Sequence, residues 1–191
     1  MDFEPAVDKV LDKEAPGWRT DLAGGYVDHA DDRGGPTKYG ITEAVARANG
    51  YDGDMRDLPL SLAREIYRKR YIVRPGFDRV WLVSAPIGDE LIDTGVNMGP
   101  TRAAEMLQRA LNAFNQQGSR YADLFVDGQL GTVTLEALRK YLRYRGDEGV
   151  RVMVCALNVL QGSRYFDIAE GNESQESFMY GWLRSRVLEP A

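Results

Sequence analysis

The sequence predicts a mainly α-helical protein with one small, glycine-rich, β-like corner. Two observations carry this expectation. Across most of the chain apolar residues return every three or four positions, the period of an amphipathic helix. One stretch, residues 24–42 (GGYVDHADDRGGPTKYGIT), has no such period and gathers glycines, carboxylates, hydroxyls and aromatics instead. Strand-like patterning is confined to a short ribbon around Tyr26 and Tyr39. A polar loop braced between helices is where binding and chemistry usually sit.

The elements follow in order. Phe3, Val7, Val10, Leu11 and Glu14 share one stripe of a helix over residues 3–14, which Pro16 and Gly17 stop. Glu14 thus stands at a helix C-terminus, on or beside the core-facing stripe. The negative end of the helix dipole and partial burial both favour the neutral carboxyl there, the form a general acid needs. A plain glutamate at a frayed helix end fits the same residues. Residues 15–23 read as an irregular linker into the glycine loop, after which Thr42–Ala48 is a short helix ended by Asn49-Gly50.

Ser61–Tyr71 is a helix with Ser61 as its N-cap and Leu62, Ile66 and Tyr67 inward, followed by Pro75-Gly76. Residues 86–98 start a helix with proline and carry Ile87, Leu91, Ile92 and Val96, and Thr101–Phe114 is amphipathic. Val126–Gly131 is a pair of tight turns before a helix over Thr132–Tyr144. Residues 148–169 form a long apolar helix, expected to be the central buried one, and Phe178–Leu188 closes the chain with Trp182 and Val187 inward.

Composition narrows the function classes. A net charge of −5 with pI ≈ 5.0 argues against a nucleic-acid partner held by bulk charge. A single cysteine excludes an intramolecular disulfide, and a single histidine disfavours a Cys/His zinc site. Cys155 lies in an apolar run and is expected as a buried thiol. The first twenty residues lack a basic segment followed by an apolar one, and no apolar run reaches the roughly 18 residues of a membrane span. Synthesis in a cytoplasm, without stable membrane association, is the expectation.

A helix-end carboxyl, a polar loop with further carboxylates and a threonine hydroxyl suit hydrolysis of a glycosidic bond. One protonated carboxyl donates to the leaving oxygen, while a second, ionised one attacks or orients water. Glu14 fits the first role, Asp32 the second, and Thr37 can hold the water. Tyr26, Tyr39, Trp18 and Trp81 can stack on sugar faces, although aromatic side chains equally serve as core.

The loop GGYVDHADDRGGPTKYGIT resembles the signature of the glycoside hydrolase 108 family of phage-type muramidases, a stretch like E-G-G-Y-V-x-D-P-x-D-x-G-G-x-T-x-x-G-I-T. DTGVNMGP at 93–100 is similar to the family's Asn-x-Gly helix end, and FVDGQLGTVTLEAL at 125–138 to the turn and helix of its peptidoglycan-binding-type C-terminal half. The resemblance implies a lysozyme-like α-helical fold, with a catalytic half at 1–96 and a peptidoglycan-binding-like half at 97–191 packed as one globule. The helices of that second half equally read as completing a single core.

In the family the catalytic glutamate directly precedes Gly-Gly; here Ala23 precedes Gly24. Two alignments compete. Either the glutamate is lost, or it is Glu14 and the nine residues Ala15–Ala23 are an insertion. The helical pattern ending at Glu14 favours the insertion, since loop length is thermodynamically cheap. The resemblance places Asp32 on the family's aspartate before Gly-Gly, Thr37 on its threonine and Tyr39 in the cleft. His29 stands where aspartate is frequent and Asp28 where asparagine is, so Asp28 and Asp31 remain alternatives to Asp32. Tyr26, Asp28, His29, Tyr39, Trp18 and Asn97 are the expected substrate contacts, with Trp18 and Arg19 of the linker extending the cleft beside Glu14.

What the resemblance implies is a phage endolysin: a monomeric N-acetylmuramidase cutting the β-1,4 bond between N-acetylmuramic acid and N-acetylglucosamine in peptidoglycan, by inversion. It would need no metal or cofactor, and would wait in the host cytoplasm until a holin lets it reach the periplasm and wall. A catalytically inactive wall-binding relative and a lytic transglycosylase are the alternatives.

Overall fold

The computed structural model describes residues 3–19, 25–28 and 35–188. The protein is mainly α-helical, with a single two-stranded antiparallel sheet among the described residues. It divides into two compact units, Met1–Arg70 and Tyr71–Ala191. This division falls earlier than the 96/97 expected from sequence, because the helices of residues 77–98 pack with those that follow them.

In the first unit, α1 (Glu4–Glu14) buries Ala6, Val7, Val10 and Leu11. The stripe then continues to Ala15, four residues after Leu11, rather than to Glu14, which is exposed. Partial burial of Glu14, expected from the sequence, is therefore not found. The hairpin β1 (Thr37–Lys38) and β2 (Ile41–Thr42) leads straight into α2 (Glu43–Ala48), whose N-terminus is capped by the Thr42 hydroxyl accepting from Val45 N. A 3-10 turn (Met55–Asp57) precedes α3 (Leu60–Tyr67), which buries Ala63, Ile66 and Tyr67. Pro59, not Ser61, stands at the α3 N-cap, and no side chain caps it. Arg64 on α3 reaches Glu4 and, at 2.5 Å, Asp8, tying α3 to α1. The chain continues as a π-helical stretch, Arg68–Val73.

In the second unit, α4 (Phe77–Val83) is a helix the sequence reading leaves out; seven residues are too few to declare a period. Next come α5 (Ala85–Met98), α6 (Pro100–Phe114), α7 (Thr132–Gly171) and α8 (Glu176–Trp182), which runs into a π-helical Leu183–Leu188. Helix α5 is the central one, with Ile87 through Thr94 almost continuously buried. Its Gly88 lets α4 approach: a Cβ there would stand 2.6 Å from Trp81 Cα.

Helix α7 is two helices meeting at Gly146, whose φ of 61° and ψ of −151° break the ladder. Its second limb buries only one face, through Met153, Leu157, Gln161, Tyr165 and Ala169. Cys155 lies two residues off that four-residue repeat, which turns it to the opposite face, so it is exposed and not the buried thiol expected. At the C-terminus Trp182 is half-buried and Val187 likewise, while the most buried residue is Arg186.

The second unit also has polar fixings. The buried Gln108 amide accepts from Asp127 N (3.0 Å) and Gly128 N (2.9 Å) and donates to Asp127 Oδ1 (2.8 Å), so the Asp-Gly turn is wound around one side chain. Arg186 pairs with Asp93 at 2.6 Å, both side chains being less than a tenth exposed. Breaking a buried pair leaves a charge in a low dielectric, at a cost of about 3–5 kcal/mol. Arg186→Ala should destabilise the protein by about that amount in a urea unfolding series, whereas the exposed Arg184→Ala should change it by less than about 0.5 kcal/mol.

Candidate active site

The polar corner of the first unit is built on a two-residue turn. Tyr39 (φ 54°) and Gly40 (φ 72°) join β1 to β2, and two positive φ values are the pattern that matches the twist of a tight hairpin. Glycine adopts this without cost, but tyrosine does so at roughly 1 kcal/mol or more. The strained residue is held from outside: Tyr67 Oη donates to the Tyr39 carbonyl at 3.1 Å. Lys38, only 6 % exposed, donates its Nζ to the Arg56 carbonyl and lies 5.2 Å from the Tyr39 ring centroid.

This turn presses against the end of α1. A Cβ placed on Gly40 would lie 3.3 Å from Glu14 Cβ and 2.5 Å from Tyr67 Oη. The start of the glycine loop returns to the same place, since a Cβ on Gly25 would lie 3.5 Å from Ala15 Cβ. The chain thus leaves α1 at Ala15 and is back beside it at Gly25. Gly25 stands in space beside the residue that follows Glu14, although ten positions separate Ala15 from it in sequence.

Thr37 joins the same corner. Its backbone exchanges hydrogen bonds with Val27 in both directions at 2.8 Å, and it is paired with Thr42 on its other side. Its hydroxyl donates to the Gly35 carbonyl at 3.1 Å, which leaves oxygen lone pairs able to accept from a water. Tyr26 and Asp28 flank the Val27 bridge. Tyr26 Oη donates to Asp28 Oδ2 at 3.2 Å, and the phenol is pushed above its ordinary pKa by burial first and the Asp28 charge second. Asp28 itself is exposed.

Of the residues singled out from the sequence, Glu14, Thr37, Tyr39, Tyr26 and Asp28 thus lie together on this corner. Asp32, Asp31 and His29 lie outside the described residues. Asn97 belongs to the second unit, where it accepts from Tyr165 Oη at 2.8 Å. Trp81 is also there, its indole N–H donating to Asp89 Oδ1 at 2.9 Å.

Trp18 does not offer the open sugar-stacking face expected of it. It is 8 % exposed, its indole N–H donates to Asp12 Oδ1 at 2.8 Å, and the guanidiniums of Arg19 and Arg64 lie 4.3 and 5.3 Å from its ring centroid. Arg19 folds back the same way, onto Asp12 (3.1 Å) and Asp8 (3.2 Å). The start of the excursion is thereby fastened to the flank of α1. The residues sequence reasoning missed here are Tyr67 and Lys38, which act on the turn through the backbone and leave no motif.

Comparison with known proteins gives a consistent placement. A family model described as Glycosyl hydrolase 108 matches residues 18–99, and one described as Predicted Peptidoglycan domain matches residues 102–187. The solved structure of Brucella abortus SagA is 27% identical, with a TM-score of 0.56, over 95% of this chain and 91% of that one. No curated protein sequence matches. The first matched span begins at Trp18, so it takes in the glycine loop and leaves Glu14 outside.

Two outcomes follow from the geometry. Gly40→Ala should cost roughly 1–3 kcal/mol in a denaturation series, since it adds both a positive-φ strain and an atom with no room. The hydrogen bonds from Arg19 and then Trp18 hold the Asp12 carboxyl below its ordinary pKa. A depressed folded pKa contributes stability that is present above the unfolded value and is lost as pH falls through the folded one. Wild type should therefore melt above Asp12→Asn near neutral pH, and the gap should close as the pH drops through 3.8 and below.

Proposed function

We propose that this chain, which belongs to the glycoside hydrolase 108 family and carries a C-terminal peptidoglycan domain, is an N-acetylmuramidase. Its reaction is hydrolysis of the β-1,4 bond between N-acetylmuramic acid and N-acetylglucosamine in peptidoglycan. The observation that carries the reading is the meeting of Ala15 and Gly25, which sets Glu14 immediately before the glycine loop in space.

In this reading Glu14 is the general acid that protonates the leaving glycosidic oxygen. It sits exposed at the C-terminal end of α1, and a glycan strand lying over the corner supplies the cover that the free protein lacks. Thr37, its own proton engaged by Gly35, accepts a hydrogen bond from the attacking water. Asp32 takes a proton from that water as it adds to the anomeric carbon, the course expected of an inverting enzyme. Tyr39, preceding the Gly40 that packs on Glu14, and Tyr26 with Asp28 line the sugar's approach. As a phage endolysin the protein would be held in the host cytoplasm until a holin admits it to the wall.

One observation favours a second reading. The matched family span starts after Glu14, and by contiguous alignment Ala23 stands where the glutamate belongs, as in an inactive wall-binding relative. Digestion of purified sacculi by wild type, Glu14→Gln and Ala23→Glu separates the two. Under the muramidase reading wild type releases reducing N-acetylmuramic acid ends. Glu14→Gln then loses about 10²–10⁴ in rate with its melting temperature unchanged, as an exposed position allows. An inert wild type with an active Ala23→Glu would establish the second reading, and anhydro ends would mark a transglycosylase.

A further inference from the structure

The second unit holds a cavity of about 340 Å³ that the reaction described above does not use. An aromatic stack backs one wall, with Tyr165 itself almost fully buried and Trp182 partly exposed. Tyr165 and Trp182 stack at 5.0 Å between ring centroids, and Phe178 continues the stack at 5.9 Å from Trp182. Ile168 and Met98 add apolar wall. The polar groups on the rim are Asn97, Arg102, Arg164 and Gln175.

These polar groups are mostly donors. The Asn97 side-chain oxygen is taken by the Tyr165 hydroxyl at 2.8 Å, which turns the amide N–H₂ toward other partners. Arg102 and Arg164 supply guanidiniums, each engaged only loosely within its own helix, with Glu105 at 3.4 Å and Asp167 at 3.5 Å. Such exposed pairs between neighbours on one helix are weak, so a ligand carboxylate competes with them readily. A pocket of this size suits a small ligand segment. Its chemistry asks for an anionic acceptor joined to a compact apolar group.

We propose that this cavity binds the carboxylate-bearing peptide stem of peptidoglycan, with Arg102 and Arg164 on a stem carboxylate and Trp182, Ile168 and Met98 beside its alanine methyls. The proposal rests on peptidoglycan being the substrate. It makes the second unit a reader of the peptide, distinct in chemistry from the sugar-cutting corner.

The test is isothermal titration of the full chain with a free stem tetrapeptide, with the same peptide carboxamidated at its C-terminus and side-chain carboxyls, and with an N-acetylglucosamine oligomer. The free acid should bind saturably, and Arg102→Gln/Arg164→Gln should weaken it at least tenfold without moving the melting temperature. The carboxamidated peptide should lose a similar factor, and binding of the oligomer should be the same in both proteins. Equal binding of acid and amide, no saturation by the acid at 5 mM of roughly millimolar-range ligand, or an unaffected double variant would each overturn the proposal.

Rate measurements keep this distinct from the function itself. On glycan strands stripped of peptide by an amidase, the double variant should match wild type, while on intact sacculi it should be slower. Inert wild type on both substrates would count against the muramidase reading alone, because the titration does not depend on turnover. Equal rates on intact sacculi would count against the pocket's role.

Discussion

The close approach at Gly40 is the constraint on which the polar corner of the first unit depends. Three pieces distant in sequence converge there: the end of α1 at Glu14, the hairpin turn, and Tyr67 of α3. None of the three is fixed by its own local preference. Tyr39 would leave its positive φ without the hydrogen bond on its carbonyl, and an eleven-residue helix such as α1 is short of the length at which helices persist alone in water. Each is stable because the others occupy the remaining space. A glycine is required where they touch, since nothing larger than hydrogen fits.

Much of this was legible in the sequence. The loop with its glycines, the helix ending at Glu14 and the ribbon near Tyr26 and Tyr39 were all marked by residue type and period, and the turn residues Tyr39-Gly40 sit where the ribbon reverses. The errors have a common cause. Helical phase accumulates at 100° per residue, so Glu14 and Cys155, each near a stripe, turn out on the exposed side once the buried positions lock to a four-residue step through Ala15 and through Met153, Leu157 and Gln161. Trp18 was misread for another reason. An indole next to a charged linker suggests an open platform, yet Asp12, six positions earlier on α1, accepts its N–H and holds the ring against the helix. The cavity beside Tyr165 could not be read at all, because its lining comes from four separate segments with no shared motif.

The second unit relies on polar side chains as much as on apolar ones to set its geometry. Gln108 satisfies two backbone N–H groups of the 127–131 turn that no secondary structure would reach, and the Asp93–Arg186 pair fastens the last turns of the chain to the central helix. Desolvated polar contacts of this type tolerate few alternative arrangements, since any other leaves a buried group unmatched. Where α5 stops and α6 starts is set instead by Gly99, at φ 92°, and by Pro100 at the first position of α6, and these place Asn97 and Arg102 on either side of that break.

The meeting of Ala15 with Gly25 has a consequence for how such proteins are recognised. Where the ends of a segment touch, added length costs only a slowly growing closure entropy, although here Trp18 and Arg19 are themselves packed onto α1. Adjacency along the chain and adjacency in space then part company, and a signature that demands the glutamate directly before the glycines tests only the first. The seam between Ala15 and Gly25 is also a ready graft point, where a foreign peptide can be spliced in without disturbing the helix on one side or the hairpin on the other.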